Sequence, residues 1–291
     1  MPARKLLSLV TLAIFLGFLI GSPLFALQKD KAPVVSGPLL TRKATRHEVR
    51  RFGYGGTLTI VGAPKGSITV EGWQRNEVDL TADIELQAET EPDLDRLATV
   101  NGFAFDEDPI HLNVLTTGTH DRAYMKKVAK NFPKNLLNLP WKIDYKLRVP
   151  SSIDVEINGG HGPLNVSGVE GAIRVNATEG DAVLSLTGGS VSVTVAAGNV
   201  KVLIPVRSWR GSGAEVRLAA GIINVEMPPG FNGDIDADIL RTGKIENTLE
   251  LASREKPGIT EKIVRARAGA GGATFRFTVG DGVISLKKSG E

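Results

Sequence analysis

A chain of 291 residues with no cysteine excludes disulfides, thiolate metal sites, cysteine nucleophiles and an acylated lipoprotein cysteine. The formal charge is +3, and without Arg4 and Lys5 the balance falls to 33 bases against 32 acids. That excludes the strong basic excess of a general nucleic-acid binder. Glycine is plentiful (33) and aromatic residues make up only 5%, which predicts stacked small β-branched residues instead of a core of large rings.

Met1 to Lys5 is a basic head, and an uncharged run, Leu6 to Leu27, follows it. With the small residue Ala26 near its end, this pattern predicts a secretory leader over residues 1–27. Leu24 stands where a cleavage site prefers a small residue, and about 22 apolar residues suffice for a ~30 Å membrane core. A retained anchor over residues 6–27, interrupted by Pro23, is therefore the alternative. Both readings put the bulk of the chain outside the cytoplasmic membrane, in the periplasm, at the cell surface or beyond. Residues 28–44, with Pro33, Gly37 and Pro38, read as a linker into one elongated body over 45–288.

Thr41 to Arg51 is basic and predicts an edge strand whose charges discourage aggregation, with contact to an anionic envelope polymer as the functional alternative. Alternation predicts strands at Gly56–Val61, Gly66–Glu71 and Val78–Leu86, facing Leu58, Ile60, Ile68 and Val70 inward. Trp73 reads as a cap on an open core end or as a ligand platform. Pro92, Leu94, Leu97 and Val100 recur at helical spacing, so a short helix is expected at 91–100. Strands resume at Phe103/Phe105 and Ile110/Leu112/Val114. Residues 116–140 form the irregular part, where Lys126, Lys127, Lys130 and Lys134 interleave with Met125, Phe132, Leu136, Leu137 and Leu139. Its leucines are expected to fold back on the body while the lysines stay solvated, membrane or polyanion contact being the other reading.

After a strand at Lys142–Val149 comes the stretch that organises the chain. Glycines stand nine residues apart at 162, 171, 180, 189 and 198. Positions +2, +4 and +6 from each are apolar except Gly168, as in Ile173/Val175/Ala177 and Val200/Val202/Ile204. Period two puts each trio on one strand face, and glycine suits the corner between units. The expectation is all-β: a β-solenoid-like stack of glycine-punctuated strands, with an antiparallel β-sandwich as the alternative, since either architecture turns every apolar set inward. Arg207 to Arg210 interrupts the ladder, which resumes through Val216, Ile223, Ile235 and Phe275.

Gly66–Trp73, Tyr145–Pro150, the glycine ladder and Gly282–Leu286 together resemble the bacterial putative-adhesin family of exported β-strand-repeat proteins, a domain of unknown function. The resemblance covers roughly residues 50–288 and implies a surface or periplasmic β-solenoid-like body. It carries over no catalytic or binding residues.

The residues themselves point the same way. His47, His111, His120 and His161 lack a metal-ligand spacing, and no phosphate loop or nucleophile elbow is present. Asp234, Asp236 and Asp238 share one outward face, which reads as a solvated strand face or as oxygen ligands for Ca²⁺. No catalytic, cofactor or metal residue is assigned, and no cofactor is expected. The outward ladder positions Asn165, Ser167, Arg174, Asn176, Ser185, Ser192, Thr194 and Lys201 form a polar sheet. The leading expectation is a non-enzymatic binding or structural protein that uses this sheet against an envelope polymer, a glycan or a protein. A membrane-anchored envelope-stress or scaffold component is the alternative, and a polysaccharide-active enzyme a third.

Overall fold

Alternation of inward and outward residues shapes almost every element. The computed structural model describes residues 38–256 and 258–290. The leader or anchor at 1–27 and linker residues 28–37 lie outside the described residues. In chain order the first elements are β1 (Leu40–Arg51), β2 (Thr57–Val61), β3 (Ile68–Trp73), β4 (Glu77–Ala88), α1 (Glu91–Val100), β5 (Gly102–Glu107) and β6 (His111–Thr117). Next come α2 (Arg122–Val128), β7 (Trp141–Pro150), β8 (Asp154–His161), β9 (Leu164–Ser167), β10 (Ala172–Glu179) and β11 (Ala182–Ser185). The chain ends with β12 (Ser190–Leu203), β13 (Gly213–Met227), β14 (Gly233–Asn247), β15 (Ala252–Ser253), β16 (Ile263–Ala268) and β17 (Thr274–Lys288). The fold is all-β, a curled mixed sheet.

The middle of the sheet is parallel and its ends are antiparallel. One ladder runs β6, β2, β8, β10, β12, β13, β17, β14 and is parallel throughout. A second runs β7, β3, β9, β11 and joins the far half of β12. Antiparallel strands close the ends: β1 on β4 and β4 on β7, β5 on β6, and β16 on β14. An antiparallel meander would pair successive units as hairpins, and the ladder has none. Ile173 faces Val155 and Val191, and Leu184 faces Val166 and Val202. Each nine-residue unit therefore bonds the next but one, 18 residues away.

The predicted inward rows are dry. Val175, Leu184, Val193 and Val202 are at most 1% exposed, and both ladders bury their rows in one core. Full burial of each such aliphatic contributes on the order of 1.5–3 kcal/mol.

Gly162, Gly171, Gly180 and Gly189 stand between strands, as expected of corners, but later glycines lie within them. Gly198, Gly221, Gly243 and Gly282 lie inside β12, β13, β14 and β17, and the chain runs through them as bent, unbroken strands. They stack in one column with Gly66, Gly162 and Gly180. A Cβ on Gly198 would sit closer than 3.0 Å to the Gly180 carbonyl, at φ 138°. The bend thus needs both a positive φ and an absent side chain.

Two local expectations change. β1 starts at Leu40, so residues 40–44 belong to a strand instead of the linker. β1 pairs with β4 alone, as an edge strand would, and Arg46 and Arg50 lie over the Phe103 and Phe105 rings. Residues 116–140 are more ordered than expected, because Asp121 caps α2 by accepting from the Ala123 and Tyr124 amides and a single 3-10 turn spans Lys134–Leu136. Met125 and Leu136 are buried, so the apolar side chains do fold back. The helix at 91–100 stands as expected, with Thr90 accepting from the Asp93 amide at its start and Leu94 and Leu97 buried.

Tyr145 is fully buried, and its hydroxyl pairs with Thr116 Oγ1 at 2.7 Å. Burial pushes its phenol from 10.0 up to about 12. A raised acid favours its neutral form in the fold. Its stabilisation is complete below pH 10 and is lost as pH rises through about 12. Two units correspond to about 2.7 kcal/mol. Urea midpoints followed upward from pH 10 should fall more steeply for the native chain than for Tyr145→Phe. Parallel curves would refute the assignment.

Candidate functional site: a groove across the parallel strands

The outward face of the first ladder carries a groove of about 610 Å³ that crosses β8, β10, β12, β13, β17 and β14. It exists because two neighbouring outward rows differ in size. One row is Asn158, Asn176, Thr194, Arg217 and Thr278, in lateral register. Two residues further along the strands stand Thr178, Ala196 and Ala219, which leave a recess, and on the next strand the Arg241 guanidinium lies over Gly280. Before two of the glycine bends the chain places short side chains outward, Ala196–Ala197 before Gly198 and Ala219–Ala220 before Gly221. Ala177 and the edges of Val195 and Leu218 complete an apolar floor, and Leu240 stands 65% exposed at one end.

Charge in the groove is compensated. Arg217 donates to Glu215 at 2.6 Å. Arg241 donates twice to Asp281, at 2.6 and 2.9 Å. This pairing holds the Asp281 carboxyl below its ordinary range and raises the Arg241 guanidinium. Asn176 donates to Asn158 across the strands at 3.2 Å. No aromatic ring lines the groove. The arrangement presents apolar carbon, amides and hydroxyls to a ligand, with little net charge.

Of the polar positions expected on the sheet, Asn176 and Thr194 line the groove, and Arg174 and Ser192 lie beside it on β10 and β12. Arg174 approaches Glu156 at 3.8 Å. Asn165, Ser167, Ser185 and Lys201 belong to the second ladder, where Lys201 pairs with Glu226 at 2.7 Å. The sequence reading missed Ala196 and Ala219, although Ala-Ala-Gly recurs at 196–198 and 219–221.

The three aspartates are neither a bare solvated face nor an arrangement of ligands. Asp234 accepts from Arg267 at 2.9 Å, Asp238 from Arg265 at 2.7 Å, and Asp236 from Arg254. Arg267 lowers the Asp234 carboxyl. The arginines sit one strand away on β16 and in the segment after β15, so alternation along β14 alone does not reveal them. Among the described residues no group of three His, Asp or Glu side chains is placed to hold a metal ion. Trp73 donates its Nε1 to the Glu77 carbonyl at 2.9 Å, and the guanidinium groups of Arg75 and Arg148 lie over its ring. Its face is thus not a free platform. A second hollow of about 690 Å³ lies around Arg96, Lys127, Lys130 and Phe132.

No family model and no curated protein matches the chain. Among solved structures, a "putative cell adhesion protein" from Clostridium sporogenes is 13% identical, with a TM-score of 0.45 over 84% of this chain and 100% of that one. A "putative adhesin" from Bacteroides fragilis is 12% identical over 85% of this chain and 97% of its own length, with a TM-score of 0.27. A "putative lipid binding protein" from Parabacteroides distasonis is 12% identical over 84% and 96%, with a TM-score of 0.28. Two of these bacterial proteins carry the adhesin name that the resemblance in the sequence implies.

Proposed function

We propose that this chain is a non-enzymatic, adhesin-like binding protein of the cell envelope that engages its partner through the groove and the polar face around it. We read its parallel ladder as a β-solenoid with a coil of 18 residues, a reading supported by the register of Val155, Ile173 and Val191. The observation that carries the functional reading is the recess left by the small residues Ala196 and Ala219 beside a row of amides and hydroxyls. A sheet face needs only solubility to be polar, whereas a recess floored by Ala177 and the edges of Val195 and Leu218 offers a ligand a shaped surface. Export rests on the uncharged stretch after Arg4 and Lys5. Among the described residues no helix is long and apolar enough to cross a membrane. Mass spectrometry of the mature N-terminus separates the two forms: a start near Leu27 means release, and an intact Met1 means anchoring.

The groove is tested by filling it. Ala219 is exposed, so Ala219→Arg should leave the melting temperature within a few degrees while reducing binding of the labelled protein to envelope fractions at least tenfold. Lys201→Glu, on the other ladder, should bind like the native chain. Unchanged binding by Ala219→Arg would remove the groove from the function.

A further inference from the structure

We infer that the basic segment 122–134 and the hollow beside it bind an anionic polysaccharide, at a surface separate from the recess over the parallel strands. The chain's charge is segregated there. The first 37 residues hold four bases and one acid, so residues 38–291 hold 31 of each and are neutral as a whole. Within them, residues 122–143 carry six bases (Arg122, Lys126, Lys127, Lys130, Lys134 and Lys142) and no acid, which leaves the remainder at −6. A neutral chain that gathers its surplus into one segment presents a local field that its net charge conceals.

Pairing within the fold does not use these charges up. Lys142 holds Asp144 and Glu85. Arg122, Lys126, Lys127, Lys130 and Lys134 are exposed, and among the described residues none of them forms an ion pair. Lys126 and Lys127 stand in the last turn of α2, where a cation complements the helix dipole. Arg122 stands in the first turn, the unfavourable end, and repels Lys126 four residues on. Lys130 and Lys134 lie beyond the helix. The fold thus carries a cluster of like charge that it leaves without counterions, and an anionic partner relieves the repulsion.

Shape and chemistry choose among polyanions. The hollow of about 690 Å³ lies between α1 and the turn after α2, with Lys127 and Lys130 in its lining. Arg96 on α1 also lines it and is already paired with Asp93 at 2.9 Å. Phe132 and Pro133, both half-buried, give the hollow an apolar wall, and the exposed Asn131 gives it an amide. A sugar ring, with carbon on its faces and hydroxyls at its edge, matches that mixture. Four of the five unpaired bases are lysines, point charges on flexible stems. They suit single carboxylates spaced along a polymer, whereas the arginine fork suits bidentate capture of phosphate. A membrane surface fits less well, because Val128, 52% exposed, is the one large aliphatic of residues 116–140 that stands in solvent. A single nucleic-acid strand would need open rings to stack on, and Tyr124 and Phe132 are half-buried.

The test is fluorescence anisotropy of a labelled oligogalacturonide, a polymer with one carboxylate per sugar, titrated with the purified chain at low salt. Saturable binding is expected, weakened at least tenfold in 1 M salt, where charge is screened beyond ~3 Å. Lys127→Ala/Lys130→Ala should weaken it at least tenfold. Lys201→Ala/Lys244→Ala removes two lysines already paired with Glu226 and Glu246, and should bind like the native chain. The fully methyl-esterified oligomer, with the same sugars and no charge, should not bind. Melting temperatures confirm that each variant is folded. No saturable binding overturns the inference, as does equal weakening by the two double variants, which would mean attraction by overall charge. Co-sedimentation with phosphatidylglycerol vesicles, in place of oligomer binding and lost in Lys127→Ala/Lys130→Ala, would overturn it in favour of a membrane. Salt-sensitive self-association lost in the same variant, again without oligomer binding, would overturn it in favour of a second copy of the chain.

Discussion

Replacing Gly198 by alanine is expected to destabilise the protein by roughly 3–5 kcal/mol, through backbone strain and overpacking together. Its φ of 138° is a conformation that side-chain-bearing residues avoid, and the new Cβ would press on the Gly180 carbonyl of the neighbouring strand. That carbonyl cannot retreat, because Gly180 is stacked in turn on Gly162, and Gly162 on Gly66. At about 2–4 °C per kcal/mol for a chain of this size, the melting temperature should drop by about 10 °C. Gly230 supplies the control. It also has a positive φ, 74°, but nothing lies within 4 Å of a Cβ built there, so Gly230→Ala should cost only about 1–2 kcal/mol. Urea denaturation of both variants checks the comparison. Equal losses would mean that the column contributes conformation alone and no steric stacking.

Phe275→Ala is expected to cost about 3–5 kcal/mol, the usual range for deleting a buried ring. Phe275 is fully buried in β17, and the rings of Trp209 and Phe231 meet it edge-on, each at 5.2 Å between centroids. Trp209 is held in place by donating its Nε1 to the Gly189 carbonyl at 3.1 Å. The Arg207–Arg210 loop, an interruption when read along the chain, therefore covers one flank of the core. A double-mutant cycle of Phe275→Ala with Trp209→Ala should give a coupling of about 0.5–1.5 kcal/mol. Strict additivity would show that the loop packs without supporting the core.

Much of the fold is legible in the amino-acid sequence, and the legible part has a pattern. Alternation assigns Leu58, Ile60, Val193 and Val202 to the interior, and all are buried. The helix at 91–100 was legible because Leu94, Leu97 and Val100 keep its period over three turns. The groove was much harder to see. Alternation marks Asn176 and Thr194 only as outward polar residues, and it gives Ala219 no role. The aspartates of β14 were legible as one face, but their arginines come from strands and segments 18 to 33 residues further on.

Alternation along the chain was enough to decide which side chains are dry, because facing in or out is settled within a single strand by its pleat. It was silent on which strands touch. A nine-residue repeat serves equally well whether each unit bonds to the next or to the one after it, and only the register, with Val155, Ile173 and Val191 side by side, selects the second. The groove is a product of that choice. Ala196 and Ala219 border one recess only because strands distant in the chain become lateral neighbours.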